Sequence, residues 1–278
     1  MTTATVRSAR TPTVRFPALV AFGGLLLREY RVLTHEPGRF LIRTVSQPFM
    51  LVFVFTFVLP TIGREPLGDV GGGQSFTDIL VPGVIAITAF FKGIQVVALP
   101  LVDEFGYTRE IEDRVMAPLP VWAVAISKIV VGALQGLAAM LVVFPIVALI
   151  PAEPVQVQIV WPHLIAIGLL APVMGSAVGL ALGTAFEPKQ VPLMFSVVIL
   201  PITFLGATYF PWAELDALPW LQAITLLNPL VYMAEGFRMA LTPQFEHMPA
   251  LGIYGALVGF IVALTAYGIH GFRRRVIG

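Results

Sequence analysis

Six stretches of this chain are apolar for long enough to cross a lipid bilayer as helices, and nothing else in the sequence constrains the fold as strongly. They run over about 45–62, 79–101, 121–150, 159–186, 191–210 and 251–270. A span needs about 20 mainly apolar residues, because bilayer hydrocarbon offers no water to satisfy backbone N–H and C=O groups, and a helix satisfies its own. The first stretch is short and holds Pro48 and Pro60. A mean hydropathy of +0.88, with 57% apolar residues, lies well above what a soluble domain with a polar surface shows. The fold class this predicts is an all-α integral membrane protein with six transmembrane helices, forming a single membrane domain over 1–278.

Charge sets the orientation. With six spans and the N-terminus in the cytosol, the inner side receives Arg7, Arg10, Arg15, Arg28, Arg31, Arg39, Arg43, Arg109, Arg114, Lys128, Lys189 and Arg273 to Arg275, while the outside keeps only Arg64 and Arg238. That bias follows the positive-inside rule. A seventh crossing through LPWLQAITLLNPLVYMAEGF, Leu218 to Phe237, would carry the three C-terminal arginines outside. Asn228-Pro229 also interrupts that stretch, since proline removes a donor and restricts the residue before it. Residues 211–250 are therefore expected to form an external re-entrant hairpin between spans 5 and 6, with Asn228, Pro229, Tyr232, Glu235 and Arg238 in its returning arm. Tyr209, Phe210, Trp212 and Trp220 suit an outer interfacial belt. At the other end, the basic stretch before Phe16 to Leu27 resembles a secretory signal, but REYR follows instead of a small-residue cleavage site. Residues 16–44 are expected to be a retained, amphipathic helix at the membrane surface.

Small residues four apart let helices approach closely in lipid. Gly175, Gly179 and Gly183 share one face of the fourth span and are expected to pack helices; Gly132 with Gly136, and Gly255 with Gly259, repeat the spacing. Lys92, in FFKGIQ, is the one clearly intramembrane charge, nine residues and roughly 14 Å of helix from the cytosolic end of its span. A charge at that depth is expensive. It belongs either to a polar seam or headgroup-directed stem, or to a substrate path or gating contact. Phe90, Phe91, Phe195, Phe204 and Tyr209 are the aromatic candidates for the same path, with helix packing and lipid contact as the ordinary alternatives.

Several chemistries are excluded. The chain has no cysteine, hence no disulfide or thiolate site. It has no G-x-x-x-x-G-K-[ST] phosphate loop, and its four histidines are scattered without H-E-x-x-H spacing. No metal or cofactor site and no catalytic residue is expected. A net charge of +1 gives no support to a nucleic-acid partner. No Asp or Glu lies inside the six stretches, which disfavours proton-coupled transport. An autonomous secondary transporter would call for inverted repeats and midplane ion ligands, and neither is visible. A membrane-embedded transferase or assembly factor would call for a carboxylate cluster at the cytosolic face, for which only the acids of 103–113 are candidates.

Those acids stand in DEFGYTREIEDRVMAPLP, residues 103 to 120, where seven of the first twelve residues are charged in a chain of 12% charged residues. Wound as a helix, the stretch places Tyr107, Ile111 and Val115 at i, i+4 and i+8, a narrow apolar stripe, with Arg109 and Asp113 pointing away and Glu110 and Glu112 on the flanks. Glu110 and Arg114 fall at i, i+4 in the favourable order. Ala117-Pro118-Leu119-Pro120 then ends the helix.

Three segments together resemble the six-span permeases of the ABC-2 type, membrane subunits of bacterial ABC exporters that include relatives of daunorubicin and polysaccharide export systems. They are LLLREYRVLTHEPGRFLIRTVSQPFMLVFVF, then LVDEFGYTREIEDRVMAPLPVWAVAISKIV, then FLGATYFPWAELDALPWLQAITLLNPLVYMAEGFRMAL with its F-P, L-P-W-L and N-P-L-x-Y-x-x-E-G-x-R pattern. In the second segment, Gly106-Tyr107-Thr108 precedes Arg109-Glu110, whereas the family often has the glycine after that pair. The resemblance implies a homo- or heterodimer of permeases in the bacterial inner membrane, both termini cytosolic, served by two separate ATPase subunits that bind ATP and magnesium. It also implies that residues 102–120 are the coupling loop, whose helix meets the ATPase through Glu104, Tyr107, Arg109, Glu110, Ile111, Arg114 and Val115. The implied function is export of an amphipathic or lipid-like substrate, a drug, lipid or glycan, by alternating access.

Overall fold

Helices make up every regular element in the computed structural model, which describes residues 23–24, 37–62, 75–108, 121–151 and 156–277. Five are long and apolar enough to cross a membrane: Thr44–Thr61, Phe76–Gly106, Trp122–Val147, Trp161–Ala185 and Ala250–Arg275. We number the helices α1 (Pro37–Val52, carried on to Thr61), α2 (Phe76–Asp103), α3 (Val121–Leu149), α4 (Trp161–Ala185), α5 (Pro188–Phe204), α6 (Pro219–Thr225), α7 (Pro229–Leu241) and α8 (Ala250–Ile277). Residues 37–44, expected at the end of the surface helix, form the first turns of α1 and run directly into the first span. Apart from Gly23 and Gly24, the rest of that segment lies outside the described residues.

Proline explains the irregular turns of α1 and α5. Pro60 has no N–H for the Thr56 carbonyl, and Pro201 has none for Val197. In each case the preceding turn widens to i→i+5 pairing, over Phe53–Val58 in α1 and Met194–Ile199 in α5. In α5 the Leu200 amide accordingly reaches back to the Phe195 carbonyl. α5 ends at Phe204, short of the expected limit of 210 and of the length the other five helices reach. Leu205–Phe210 is a turn in which Ala207 adopts φ 52°, a left-handed conformation unfavourable for a residue with a Cβ.

The core lies between α2 and α4, the most extensive helix pair. The glycine face of α4 makes it possible. A Cβ at Gly175 would stand 2.7 Å from the Phe90 carbonyl oxygen, one at Gly179 3.0 Å from Ile94 Cα, and one at Gly183 3.0 Å from Ala98 Cα, so side chains there would push the backbones apart. α3 packs against both helices of this pair and α8 against α4, while α7 is wedged among α2, α4 and α8 with all thirteen residues buried. Gly255 and Gly259 differ from the α4 glycines, since nothing lies within 4 Å of a Cβ built on either.

Between α5 and α8 the chain breaks into a 3₁₀ turn, Trp212–Ala217, then α6 and α7, both too short to cross a bilayer. Asn228 divides α6 from α7 and caps α7, its side-chain oxygen accepting the Leu230 amide at 3.0 Å. The C-terminal end of α7 is tied to the approach of α4 by extended backbone: the Gln158 and Val160 amides donate to the Leu241 and Ala240 carbonyls, each at 2.8 Å.

Candidate functional site

The α2 exit carries the first cluster. α2 is prolonged by one wide turn, Glu104–Thr108. Glu104, expected as a partner contact, points into the subunit: its carboxylate accepts from Lys128 Nζ of α3 at 2.6 Å, with both side chains about nine-tenths buried. Phe105 stacks edge-on against Phe272 of α8, centroids 5.4 Å apart, and the Arg275 guanidinium lies 5.4 Å from the same ring, within cation–π range. A Cβ on Gly106 would collide with the Pro188 ring at the start of α5. Four helices, α2, α3, α5 and α8, thus converge on the first turn of the loop. Of the other expected ATPase contacts, the Tyr107 backbone belongs to this turn, whereas the Tyr107 side chain and all of Arg109, Glu110, Ile111, Arg114 and Val115 lie outside the described residues.

The second cluster is a buried ion pair in the interrupted segment. Glu235 and Arg238 lie one turn apart on α7, each 1% exposed, with Arg238 Nη1 donating to Glu235 Oε1 at 2.6 Å. Glu235 also accepts the Trp212 amide through Oε1 and the Met248 amide through Oε2, each at 3.0 Å. Arg238 Nη2 donates to the carbonyls of Ala207 and Phe210, at 2.5 and 3.2 Å. One pair therefore fastens the turn after α5, the 3₁₀ turn and the lead-in to α8. Burial pushes the guanidinium below its usual value and the Glu235 carboxylate draws it back up; arginine stays charged in such a setting. Around the pair, Asn228 Nδ2 donates to the Ile202 carbonyl at 2.7 Å and Tyr232 OH to the Leu226 carbonyl at 3.0 Å. Pro229 sits at the first turn of α7, where its missing N–H costs nothing.

The third cluster surrounds Lys92. Its Nζ donates to Thr44 Oγ1 of α1 at 3.1 Å, and the two residues line a small cavity with Pro48, Thr88, Phe91 and Gln95 among its walls. The aromatic candidates do not gather there as one surface. Phe90 is fully enclosed against the Gly175 backbone, Phe91 meets it edge-on and faces the cavity, and Phe195 is half-buried on α5. Phe204 is 57% exposed beside the half-buried Tyr209, ring centroids 6.3 Å apart.

Sequence reasoning missed the backbone partners of Glu235, because amides at 212 and 248 leave no compositional mark. It also missed the contact of Phe105 with Phe272 and Arg275, since both lie more than 160 residues further along the chain. For the Ala207 turn a signal was present in the adjacent Gly206 of FLGATYF.

Apolar helices of membrane length, with no strand among the described residues, mark a helical integral membrane protein. The ABC-2 type transporter family model matches residues 20–242, and the chain belongs to that family. It is similar to the inner membrane transport permease YadH of Escherichia coli (strain K12), 27% identical over 232 residues that cover 82% of this chain and 87% of that protein. YadH of Shigella flexneri is similar to the same extent. The family places this chain in the membrane, as the permease part of an ABC transporter that works with an ATPase.

Proposed function

We propose that the chain is the permease subunit of an ATP-driven exporter that moves an amphipathic or lipid-like substrate out of the cytoplasm. In this reading α5 completes a six-span topology with both termini in the cytosol, residues 211–250 form a re-entrant outer hairpin, and two permease copies work with two ATPase subunits. The ATPases hold ATP and magnesium, and this chain supplies no catalytic group. The loop 102–120 is the coupling segment, and its stripe of Tyr107, Ile111 and Val115 enters a groove on the ATPase with the charges as a polar rim.

The observation that carries the reading is the convergence of four helices on the turn Glu104–Thr108. A force applied to the loop acts first on that turn. The Lys128 ion pair hands it to α3, the Phe105–Phe272 contact to α8 and the Gly106–Pro188 contact to α5. Closely packed helices respond as rigid bodies, so a small displacement at the ATPase becomes a tilt of several spans. ATP drives the change through its tighter binding to the closed state.

The test is co-purification of the permease with its ATPase after Ile111→Asp. Loss of the complex and of stimulated ATP hydrolysis, with the melting temperature of the isolated permease unchanged, is the expected result. Retention of both overturns the docking role of the stripe.

A further inference from the structure

α3 and α4 meet closely along only part of their length. A Cβ on Gly132 of α3 would lie 2.6 Å from Ser176 Oγ of α4, and one on Gly136 would lie 3.0 Å from Pro172 Cβ. Past Gly136, toward the start of α4, this close contact ends and a groove of about 410 Å³ opens between the two helices. Met140, Leu141 and Phe144 line it from α3, and Leu164, Ile165 and Leu169 from α4. Ile85 of α2 and Phe237 of α7, both fully buried, line its inner side.

The chemistry of the lining is uniform. All twelve residues around the groove are apolar, and the indole N–H of Trp161 is the one hydrogen-bonding side-chain group among them. Apolar cavities stay dry and take apolar ligands, so neither water nor a sugar or charged group suits this one. Both walls belong to helices of membrane length, and Leu141, Ile165 and Leu169 on the rim are 62%, 59% and 57% exposed. The groove therefore opens sideways, onto bilayer hydrocarbon.

Its length selects the occupant. From Trp161 to Leu169 is eight residues, roughly 12 Å of helix, within the depth of one leaflet of a core about 30 Å thick. A spanning helix from a second copy would need a seat running on across the membrane, whereas this one is shut at Gly136 and Pro172. A lipid chain ends within its own leaflet. The polarity agrees: Trp161, the first residue of α4 and 63% exposed, puts a donor at one end of an otherwise apolar slot, and tryptophan favours the level of the headgroups. In lipid the gain comes from van der Waals contact, and a chain in a groove has protein on several sides where one on a convex helix face has it on one.

We propose that the groove between α3 and α4 binds one acyl chain of a membrane phospholipid, with Trp161 at the level of its ester and headgroup. The site goes beyond the exporter reading and does not depend on it. The chain supplies the packing that α3 and α4 lack at this end, which makes a phospholipid part of the folded subunit.

The test is photo-crosslinking of the full chain in nanodiscs of phosphatidylethanolamine doped with the same lipid carrying a diazirine midway along one acyl chain. Adducts are mapped by mass spectrometry after proteolysis. Exposure alone would favour Val258 and Val262 of α8, 49% and 63% exposed, over Met140 at 7%. The groove reverses that order, and Met140 and Leu164 are expected to carry more adduct than either valine. Gly168→Leu adds a side chain inside the groove, where a Cβ would meet only the flexible end of Met140 at 3.3 Å. It is expected to lower the adducts on Leu164 at least about fivefold and to leave those on α8 unchanged. Should that variant fail to fold, Leu141→Trp blocks the groove from its exposed rim, with the same loss expected at Leu164. Adducts that follow exposure in the wild type, or adducts on Leu164 that survive the blocking substitution, overturn the site.

Discussion

Glu235→Ala is the substitution whose effect the structure fixes most closely. It removes the carboxylate from a pair in which both side chains are 1% exposed, leaving the Arg238 guanidinium charged inside the protein. Removing one partner of a buried pair costs about 3–5 kcal/mol. The amides of Trp212 and Met248 lose their acceptor in the same step, and a buried donor left unsatisfied costs about 1–3 kcal/mol. These contributions share one network and do not add, while the Ala207 and Phe210 carbonyls still receive Arg238 Nη2. A net loss of about 4 kcal/mol is the reasoned figure. Thermal loss of the monodisperse peak in detergent measures it, and hydrogen exchange at Trp212 and Met248 locates it: both amides should exchange faster, whereas Gly93 at the α2–α4 seam should not. Glu235→Leu combined with Arg238→Met should recover much of the loss, since apolar residues can replace a buried pair with little penalty. A melting point for Glu235→Ala within about 2 °C of wild type, or a double variant no better than the single one, refutes the clamp.

Other outcomes follow from the same contacts. Gly175→Leu, whose Cβ would stand 2.7 Å from the Phe90 carbonyl, should lower the melting temperature by the equivalent of at least about 2 kcal/mol, whereas Gly255→Leu and Gly259→Leu, with open space at both, should leave it unchanged. Lys128→Glu should cost about 2 kcal/mol in the same assay and uncouple ATP hydrolysis from transport, with Glu104→Lys on top restoring part of both. Asn228→Ala should cost about 1 kcal/mol through loss of the α7 cap, seen as faster exchange at Leu230.

The helical membrane character was legible because backbone satisfaction in lipid permits few alternatives, and five of the six stretches appear as helices within a few residues of the expected limits. The end of the 191–210 stretch was not legible, since hydropathy does not register where a chain turns: the apolar Leu205 and Ala207 stand in a turn, and the apolar helix α5 stops at Phe204. Glycine spacing was equally ambiguous. Gly175 and Gly179 meet another helix while Gly255 and Gly259 meet nothing in the subunit, although the i, i+4 pattern is the same. Lys92 was visible as an intramembrane charge, but its neighbour Thr44 comes from a different helix 48 residues away, and pairings of that kind leave no local signature. Glu235 and Arg238, one turn apart, were visible as residues of a motif, and their joint role became readable only with the three segments they hold.

The contrast between α4 and α8 extends beyond packing. Both carry an apolar stretch of membrane length, but most of α4 is enclosed by the subunit whereas most of α8 is not. The chain therefore holds two populations of hydrophobic residue under different rules. Those of α4 must match the shape of particular neighbours, so exchanging Ala177 for leucine is an error even though it raises hydrophobicity. Those on the outer face of α8, such as Leu251, Val258 and Val262, need only partition into an apolar medium, and leucine, valine or isoleucine serves equally there. A saturation scan read out as surface expression would separate the two helices at once: α4 intolerant of size, α8 intolerant only of charge.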